Sequence, residues 1–338
     1  MLDQNNNQSI VLHGNGKVQL EMRETLAPDS NEVLVETIFS AISPGTERNL
    51  LLGTDQDDSV WSELQSYPRL TGYSNVGKVV KVGSKVDSQL IGEIVHNHGA
   101  HQQYAISAAE KVTVIPEMVN WKEATFASLG KVTMNSLRRG AVTWGETVLV
   151  TGMGIVGQFA VQFALIAGAK RVVAVDISDE RLALLPKDDR IITIKDAQGN
   201  FPDQLQDKGI AVDVGIEASG NPAVINNLAK SIREQGRLVM LSSPNGTTSF
   251  HFHDYCNRNS LTIIGSHGFS HPPHGYLGNQ WSSKNHGELF MEYMKLGLLD
   301  PSKLITHEFS SQDAISAYKL LSSNKNSSLG IILNWSKE

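Results

Sequence analysis

The sequence of 338 residues contains little cysteine, few aromatic residues and little net charge. Cys256 is the only cysteine, which excludes an intramolecular disulfide and any metal site built from several cysteines. Because no activating neighbour is evident, Cys256 is interpreted as a partly buried thiol and not as a nucleophile. The formal net charge of −6 provides no basic surface for nucleic acid or for an anionic membrane.

Long apolar segments are also absent. No run of the sequence reaches the length that spans a bilayer, and residues 1–8 lack the basic and apolar regions of a signal peptide. These absences predict a cytoplasmic protein without membrane or nucleic-acid partners. With 40% hydrophobic and 19% charged residues, the chain has a globular composition, and its length exceeds that of one ordinary core. Two domains are therefore expected.

One segment carries a strong nucleotide-binding signal. Residues 146–151 have a hydrophobic strand pattern, and three glycines follow at Gly152, Gly154 and Gly157. Gly152 allows a tight turn, Gly154 lets backbone N–H groups approach a pyrophosphate, and Gly157 lets the next helix pack against the strand. The helix that opens at Ile155 and Val156 then faces the phosphates with its unpaired donors. The pattern predicts a dinucleotide site that includes these five residues.

The next strand pattern, 171–176, ends in Asp176, which predicts the choice of cofactor. A carboxylate here can accept hydrogen bonds from both ribose hydroxyls of the adenosine and repels a 2′-phosphate, which favours NAD(H) over NADP(H). Arg181 either stacks on the adenine or lies on the surface. An arginine near this point can also accommodate a 2′-phosphate. Because Asp176 repels that phosphate, NAD(H) remains the predicted cofactor. Ser219 and Ser242 follow two later strand patterns, at the sheet edge where the nicotinamide half is expected.

Strand and helix patterns divide the chain. Residues 10–115 show short strands punctuated by glycine and proline, which favours a β-rich lobe, and the acidic stretch 53–59 is interpreted as a solvated loop. Further on, strands and helices alternate, which predicts a doubly wound parallel sheet. The strand candidates are 147–151, 171–176, 190–194, 212–217, 236–241 and 261–265, with helices such as 222–234 between them.

The C-terminal part returns to mixed character, with helices expected around 288–296 and 312–321 and a strand at 330–335. That last strand is expected to pair with the first lobe and to make it discontinuous in sequence. The predicted domains are residues 1–120 with 271–338, and residues 121–270.

This order of lobe, nucleotide sheet and return to the lobe resembles the medium-chain dehydrogenase/reductase superfamily. The stretches that carry the likeness are 72–83, 148–157, 212–220, 236–241 and 304–309. Within the superfamily, residues 42–53 look like the bacteriochlorophyllide (hydroxyethyl) dehydrogenase-like branch. The resemblance implies a GroES-like catalytic lobe beside a Rossmann domain, and a homodimer formed through the edge strand 261–265.

The resemblance does not extend to the residues that hold the catalytic metal. Zinc alcohol dehydrogenases hold zinc through a cysteine, a histidine and a later cysteine or aspartate. The matching regions here contain Ser43, Tyr73 and Leu129, none of which is a competent zinc ligand in its neutral form. A zinc-independent enzyme without a structural four-cysteine lobe is therefore expected.

Side chains must then handle the substrate oxygen, and four are candidates. Tyr73 stands where a zinc ligand would be, Thr46 matches the hydroxyl that relays the substrate proton in the zinc enzymes, and Lys131 could approach them. His101 is the preferred general base because it matches a recurrent histidine of the resembled branch. The alternatives are a packing tyrosine, a solvated or phosphate-facing lysine, and a metal site formed by His101 with His96 and His98.

Two further roles come from the resemblance alone. Glu47 is expected to pair with an arginine between the lobes, and Thr133 is expected to lie near the nicotinamide.

The leading functional prediction is a zinc-independent, NAD(H)-dependent enzyme that interconverts a secondary alcohol and a ketone on a polyol, sugar-like or other hydroxylated small molecule. Two alternatives remain open. One is an enone or quinone reductase, which generally prefers NADPH, and the other is a sensor that binds NAD(H) without turnover. The substrate itself is set by loops such as 53–67 and 270–286, which carry no motif.

Overall fold

A computed structural model describes residues 7–53, 60–272, 274–323 and 328–336. The chain forms two compact units, which we call unit 1 (residues 1–128 and 283–338) and unit 2 (residues 129–282). Both boundaries fall later than the predicted changes at 120/121 and 270/271. The first shift arises because the helix Trp121–Ala124 packs on strands of unit 1. The second arises because Trp281 stacks on Arg138 within unit 2, with the guanidinium 3.4 Å from the ring centroid. The acidic stretch 54–59 lies outside the described residues.

The helices and strands of the described residues follow in chain order. The strands are β1 (Asn7–Gly14), β2 (Lys17–Arg23), β3 (Glu32–Ile42), β4 (Arg69–Leu70), β5 (Asn75–Val82), β6 (Ile94–Asn97), β7 (Tyr104–Ala108), β8 (Thr113–Val114), β9 (Thr147–Thr151), β10 (Arg171–Asp176), β11 (Ile191–Lys195), β12 (Val212–Glu217), β13 (Ile232–Met240), β14 (Thr262–Gly265), β15 (Ile305–Ser310) and β16 (Gly330–Asn334). The helices are α1 (Thr46–Leu52), α2 (Val60–Glu63), α3 (Trp121–Ala124), α4 (Ala127–Arg139), α5 (Ile155–Ile166), α6 (Asp179–Leu182), α7 (Phe201–Asp207), α8 (Val224–Ser231), α9 (Ser283–Lys295) and α10 (Ala314–Ser323).

Unit 1 contains two sheets, a larger mixed sheet and a smaller antiparallel sheet. The larger sheet has the order β15-β16-β3-β5-β6-β8, with β7 also paired to β3, and the smaller has the order β2-β1-β4. The C-terminal strand β16 runs antiparallel to β3, with Ile331 opposite Ile42, so the predicted return of the last strand to the first lobe is confirmed. Apolar side chains from β1, β3, β16 and α10 bury one core between these elements.

Unit 2 is a six-stranded parallel sheet in the order β11-β10-β9-β12-β13-β14, which confirms the predicted doubly wound fold. All five residues of β9 are buried, as expected for a central parallel strand covered on both faces. The helix predicted at 222–234 ends earlier, at Ser231. It ends there because Ile232 is buried and pairs with Val212, which starts β13 before the predicted residue 236.

Within the described residues, no helix combines the length and the apolar character needed to cross a membrane.

Candidate active site

The glycine turn between β9 and α5 has the geometry of a phosphate cradle. Gly152 has a φ of +89°, and a Cβ added to it would lie 2.5 Å from the Cα of Ser219. A Cβ on Gly157 would lie 1.8 Å from the Gly152 carbonyl oxygen, whereas a Cβ on Gly154 would meet no atom within 4 Å. The first and third glycines therefore close the turn, and the second leaves its backbone open at the start of α5. This arrangement fits the pyrophosphate of a dinucleotide.

Asp176 lies beside this turn at the end of β10. Its side chain is 7% exposed, and its Oδ2 accepts a hydrogen bond of 2.5 Å from the Met153 N–H. Its Oδ1 accepts a second bond of 2.8 Å from the Ser178 N–H. The carboxylate is thus held next to the glycine turn, where an adenosine ribose would bind. Arg181 is half-buried in α6, and its carbonyl oxygen accepts a hydrogen bond from the Gln158 side chain.

Ser219 and Ser242 lie at the same sheet edge. Both hydroxyls bond to Glu217, a residue that the sequence patterns did not indicate. Glu217, the last residue of β12, is fully buried and accepts hydrogen bonds from both serine hydroxyls. The signal that could have revealed it is a carboxylate at the end of an otherwise apolar strand, directly before Ala-Ser-Gly. An ionisable group in that position needs several donors to be buried.

Helix α4 carries Thr133 and Lys131. Thr133 is fully buried, and its hydroxyl donates a bond of 2.8 Å to the Leu129 carbonyl oxygen. Lys131 is 2% exposed, and burial lowers the pKa of its ammonium group to about 7. His271 approaches Lys131: burial lowers the pKa of this imidazole, and the Lys131 charge lowers it further. Lys131 is therefore a group in unit 2 that can exchange a proton near neutral pH.

Three hydroxyl groups converge in unit 1. The half-buried Tyr73 donates a hydrogen bond of 2.5 Å to the Ser43 Oγ, and its hydroxyl also bonds with Thr46. Burial raises the pKa of Tyr73, and the charge of Glu47 raises it further, against the opposing effect of the two hydrogen bonds. The phenol is consequently protonated at neutral pH and acts as a hydrogen-bond donor.

His101 lies in the same unit, in a buried cluster around Glu47. Its Nε2 is 3.2 Å and 3.3 Å from the two Glu47 oxygens, and its Nδ1 is 2.8 Å from the Ser40 Oγ. Both ring nitrogens are therefore engaged, and the ring is 0% exposed. The catalytic role of His101 stays a prediction, and in this structure the ring connects Ser40 with Glu47.

Glu47, for which an arginine partner between the lobes is expected, is bonded to four residues of unit 1. Glu47 is 1% exposed and accepts hydrogen bonds from the Ser43 N–H at 2.7 Å, from the Thr71 hydroxyl at 2.8 Å and from the Tyr318 hydroxyl, in addition to the His101 contact. Burial by itself raises the pKa of Glu47. The His101 charge and the hydrogen bonds from His101, Ser43 and Tyr318 outweigh it and hold the pKa below its ordinary value.

The other two histidines of the H-x-H-x-x-H segment point elsewhere. His96 Nε2 is 3.2 Å and His98 Nδ1 is 3.3 Å from the Ser128 hydroxyl, which also donates to the Tyr73 carbonyl oxygen. Their rings pack edge to face, 5.5 Å apart, whereas His101 is committed to Glu47. The three histidines therefore do not form one metal site.

The residues at the expected zinc position do not fit zinc. Ser43 and Tyr73 bond to each other through neutral hydroxyls, and Leu129 has no donor atom. Among the residues that the structure describes, no group of three or more His, Cys, Asp or Glu side chains is arranged to hold a metal ion.

Comparison with known proteins agrees with this architecture. Residues 156–278 match the family model described as zinc-binding dehydrogenase. The chain is also 26% identical to an L-threonine 3-dehydrogenase of Burkholderia cenocepacia (strain HI2424), over 325 residues that cover 85% of this chain and 90% of the relative. The chain is thus similar to zinc-binding-type dehydrogenases in these two comparisons. It is accordingly an oxidoreductase.

Solved structures show the same fold. A short chain alcohol dehydrogenase from Escherichia coli CFT073, complexed with cofactor NADH, superposes with a TM-score of 0.80 at 22% identity and covers 97% of this chain and 99% of its own. Galactitol-1-phosphate dehydrogenase from Escherichia coli also gives 0.80, at 18% identity and with coverage of 97% and 99%. The segment matched by the zinc-binding family model lies wholly in unit 2, so it includes neither Ser43 nor Tyr73.

Proposed function

We propose that this medium-chain dehydrogenase uses NAD(H), works without zinc, and interconverts a secondary alcohol and a ketone on a polyol, sugar-like or similarly hydroxylated small molecule. The observation that carries the proposal is the glycine turn with Asp176 fixed beside it by the Met153 N–H. A carboxylate at this place favours a free ribose diol over a 2′-phosphate. The homologues named above bind NADH in one case and act on hydroxylated compounds in others.

The proposal assigns different tasks to the two units. The cofactor supplies or accepts the hydride when bound. Unit 2 binds it through the glycine turn and Asp176, with Thr133, Arg181, Ser219 and Ser242 as further residues of the cofactor site. In unit 1, Tyr73 donates its one hydroxyl proton to the substrate oxygen in place of the Ser43 Oγ and so stabilises the charge that develops there. Thr46 and Ser43 hold the phenol by donating to its oxygen, and Lys131, whose pKa burial lowers to about 7, is proposed as the group that takes up or releases the proton.

Zinc independence is supported by the chemistry of the side chains at the position that zinc enzymes use. Hydroxyl groups replace the cysteine and the histidine, and a leucine replaces the third ligand. The segment 42–53 is the feature that favours the bacteriochlorophyllide dehydrogenase-like branch within the family. We propose this branch assignment on that segment alone.

An enone or quinone reductase is the second candidate, because the same zinc-free residues suit hydride transfer to a β-carbon. Such an enzyme would use NADPH as well as or better than NADH. A sensor that binds NAD(H) without turnover is the third candidate.

The remaining proposals concern the setting of the enzyme. We propose a cytoplasmic homodimer that pairs through β14, the edge strand of the six-stranded sheet, where Ile263 is 40% exposed. Light scattering on the purified protein is expected to give twice the chain mass. Ile263→Lys is expected to give the mass of one chain.

Cofactor choice is the direct test of the proposal. The dissociation constants of NADH and NADPH are measured by nicotinamide fluorescence for the wild type and for Asp176→Ala. We expect the wild type to prefer NADH. We expect Asp176→Ala to lose at least about 100-fold in NADH affinity, since each of the two charge-assisted bonds that the ribose diol would form is worth about 1.5–3 kcal/mol. Equal binding of both cofactors by the wild type would favour the reductase, and NADH binding without deuteride transfer to any hydroxy-ketone would favour the sensor.

A further inference from the structure

Glu217 is a buried carboxylate with four donors. Its Oε1 accepts bonds from the Ser219 N–H at 2.7 Å, from the Ser219 hydroxyl at 2.5 Å and from the Gly220 N–H at 3.1 Å. Its Oε2 accepts the Ser242 hydroxyl. A carboxylate accepts this many hydrogen bonds through two oxygens and donates none, which suits it to this position. One side chain thus ties together the turn after β12 and the turn after β13.

The position of Glu217 in the sheet relates these hydrogen bonds to ligand binding. β9 and β12 are neighbours, with β10 and β11 on one side and β13 and β14 on the other. The crossovers leave these two strands in opposite directions, so the crevice beyond their carboxyl ends is the topological switch point, where doubly wound sheets bind their ligands. Glu217 pairs with Thr151, the last residue of β9. Its carboxylate therefore lies at the switch point.

The turn that Glu217 holds is in tight contact with the glycine turn. The Ser219 Cα lies 2.5 Å from where a Cβ on Gly152 would be, so the two backbones touch. The Ser219 hydroxyl accepts a bond of 3.1 Å from the Asn221 N–H while it donates to Glu217. If the carboxylate were lost, two N–H groups beside the glycine turn would lose their acceptor and the turn would be free to rearrange.

We propose that Glu217 is a positioning residue for the nicotinamide half of the dinucleotide. It acts through Ser219, Gly220 and Ser242, which it holds as one wall of the crevice against the glycine turn. The inference rests on the proposed NAD(H) function. Because Asp176 holds the adenosine half, loss of Glu217 affects a complete dinucleotide more than a ligand that lacks nicotinamide.

Asp213 provides a matched control on the same strand. It is a partly buried carboxylate near the opposite end of β12, where it accepts a bond of 2.7 Å from the Thr147 N–H and pairs with Arg233 at 2.6 Å. Its replacement removes a comparable set of bonds from unit 2, away from the carboxyl edge of the sheet.

The experiment compares wild type, Glu217→Ala, Glu217→Gln and Asp213→Asn. The dissociation constants are measured for NADH by fluorescence and for AMP by calorimetry, with the Tm of each protein. We expect Glu217→Ala to weaken NADH binding about tenfold and Glu217→Gln to weaken it less, because the amide keeps one acceptor oxygen. AMP binding is expected to stay within about twofold, because Asp176, which is proposed to hold the adenosine half, is unchanged in these variants. Asp213→Asn is expected to lower the Tm and leave both constants unchanged.

Three outcomes overturn the inference. If folded Glu217 variants keep the wild-type affinity for NADH, the carboxylate does not position the cofactor. If NADH and AMP binding weaken equally, the effect is a general loss of stability. The same conclusion follows if Asp213→Asn weakens NADH binding as much as the Glu217 variants do. Failure of the wild type to bind NADH is a separate result, because it removes the proposed function itself. If Glu217→Ala does not fold, Glu217→Gln, which keeps the side-chain volume, decides between these results.

Discussion

The buried pair of Glu47 and His101 allows a quantitative prediction about stability. Glu47→Ala removes the acceptor of the Ser43 N–H and of the Thr71 and Tyr318 hydroxyls, and it leaves His101 without its carboxylate. Each buried donor left without an acceptor costs about 1–3 kcal/mol, so the sum over these contacts is expected to be about 3–5 kcal/mol. In a protein of 338 residues, that loss lowers the Tm by roughly 4–7 °C. Glu47→Gln keeps the volume and one acceptor, so a loss of about 1–3 kcal/mol is expected.

The pH dependence of this effect has a definite sign. The pKa of Glu47 is lowered in the folded protein, so its contribution to the free energy of unfolding is present above the unfolded-state pKa of about 4.3. The contribution is lost as the pH falls through the lower, folded-state pKa. The Tm difference between wild type and Glu47→Gln is therefore expected to be largest near neutral pH and to shrink below pH ~4.

Calorimetry at pH 7 and at about pH 3, below the unfolded-state pKa, measures both quantities. Glu308, which forms a half-exposed ion pair of 2.6 Å with Lys122 in the same unit, supplies the control. Glu308→Gln is expected to cost no more than about 1 kcal/mol. If Glu47→Gln melts like the wild type at both pH values, the buried pair does not stabilise unit 1 and the reasoning is refuted.

Three other substitutions test separate parts of the account. Gly157→Ala places a Cβ 1.8 Å from the Gly152 carbonyl oxygen, so it is expected to lower the Tm and abolish NADH binding, and normal binding would contradict the packed-turn geometry. Tyr73→Phe is expected to reduce kcat about 100-fold with little change in the Kd of NADH, and an unchanged kcat removes Tyr73 from the mechanism. Lys131→Met is expected to abolish a rise in wild-type stability above pH 7, of at most about 1.4 kcal/mol per pH unit, because the unfolded chain binds a proton that folded Lys131 has released. Parallel stability profiles for the two proteins would show that burial does not lower this pKa.

The cofactor side of the fold could be predicted because its determinants are local. The glycines of the turn and Asp176 lie within one βαβ unit, and each has a backbone or charge requirement that the residue type reveals. The helix at 222–234 was predicted too long because a tertiary contact overrides its pattern. Ile232 pairs with Val212 in the sheet, and no local signal marks that pairing.

The polar clusters could not be predicted for the same reason. Glu47 meets His101 and Tyr318 only through the folding of unit 1, since these residues come from three distant parts of the sequence. Residue type alone predicts His101 as a general base, whereas the bonds that engage its ring come from Ser40 and Glu47, which lie far away in the sequence. Glu217 was missed because Ser242, one of its donors, follows a different strand.

Metal content measured together with turnover tests the central claim most directly. The protein is purified, analysed for zinc, and assayed with NADH and a panel of hydroxy-ketones before and after dialysis against a chelator. We predict substoichiometric zinc and an unchanged kcat, because Ser43 and Tyr73, which stand where zinc ligands are expected, bond to each other through neutral hydroxyl groups. One zinc ion per chain, with activity lost on chelation and restored by zinc, would contradict the account.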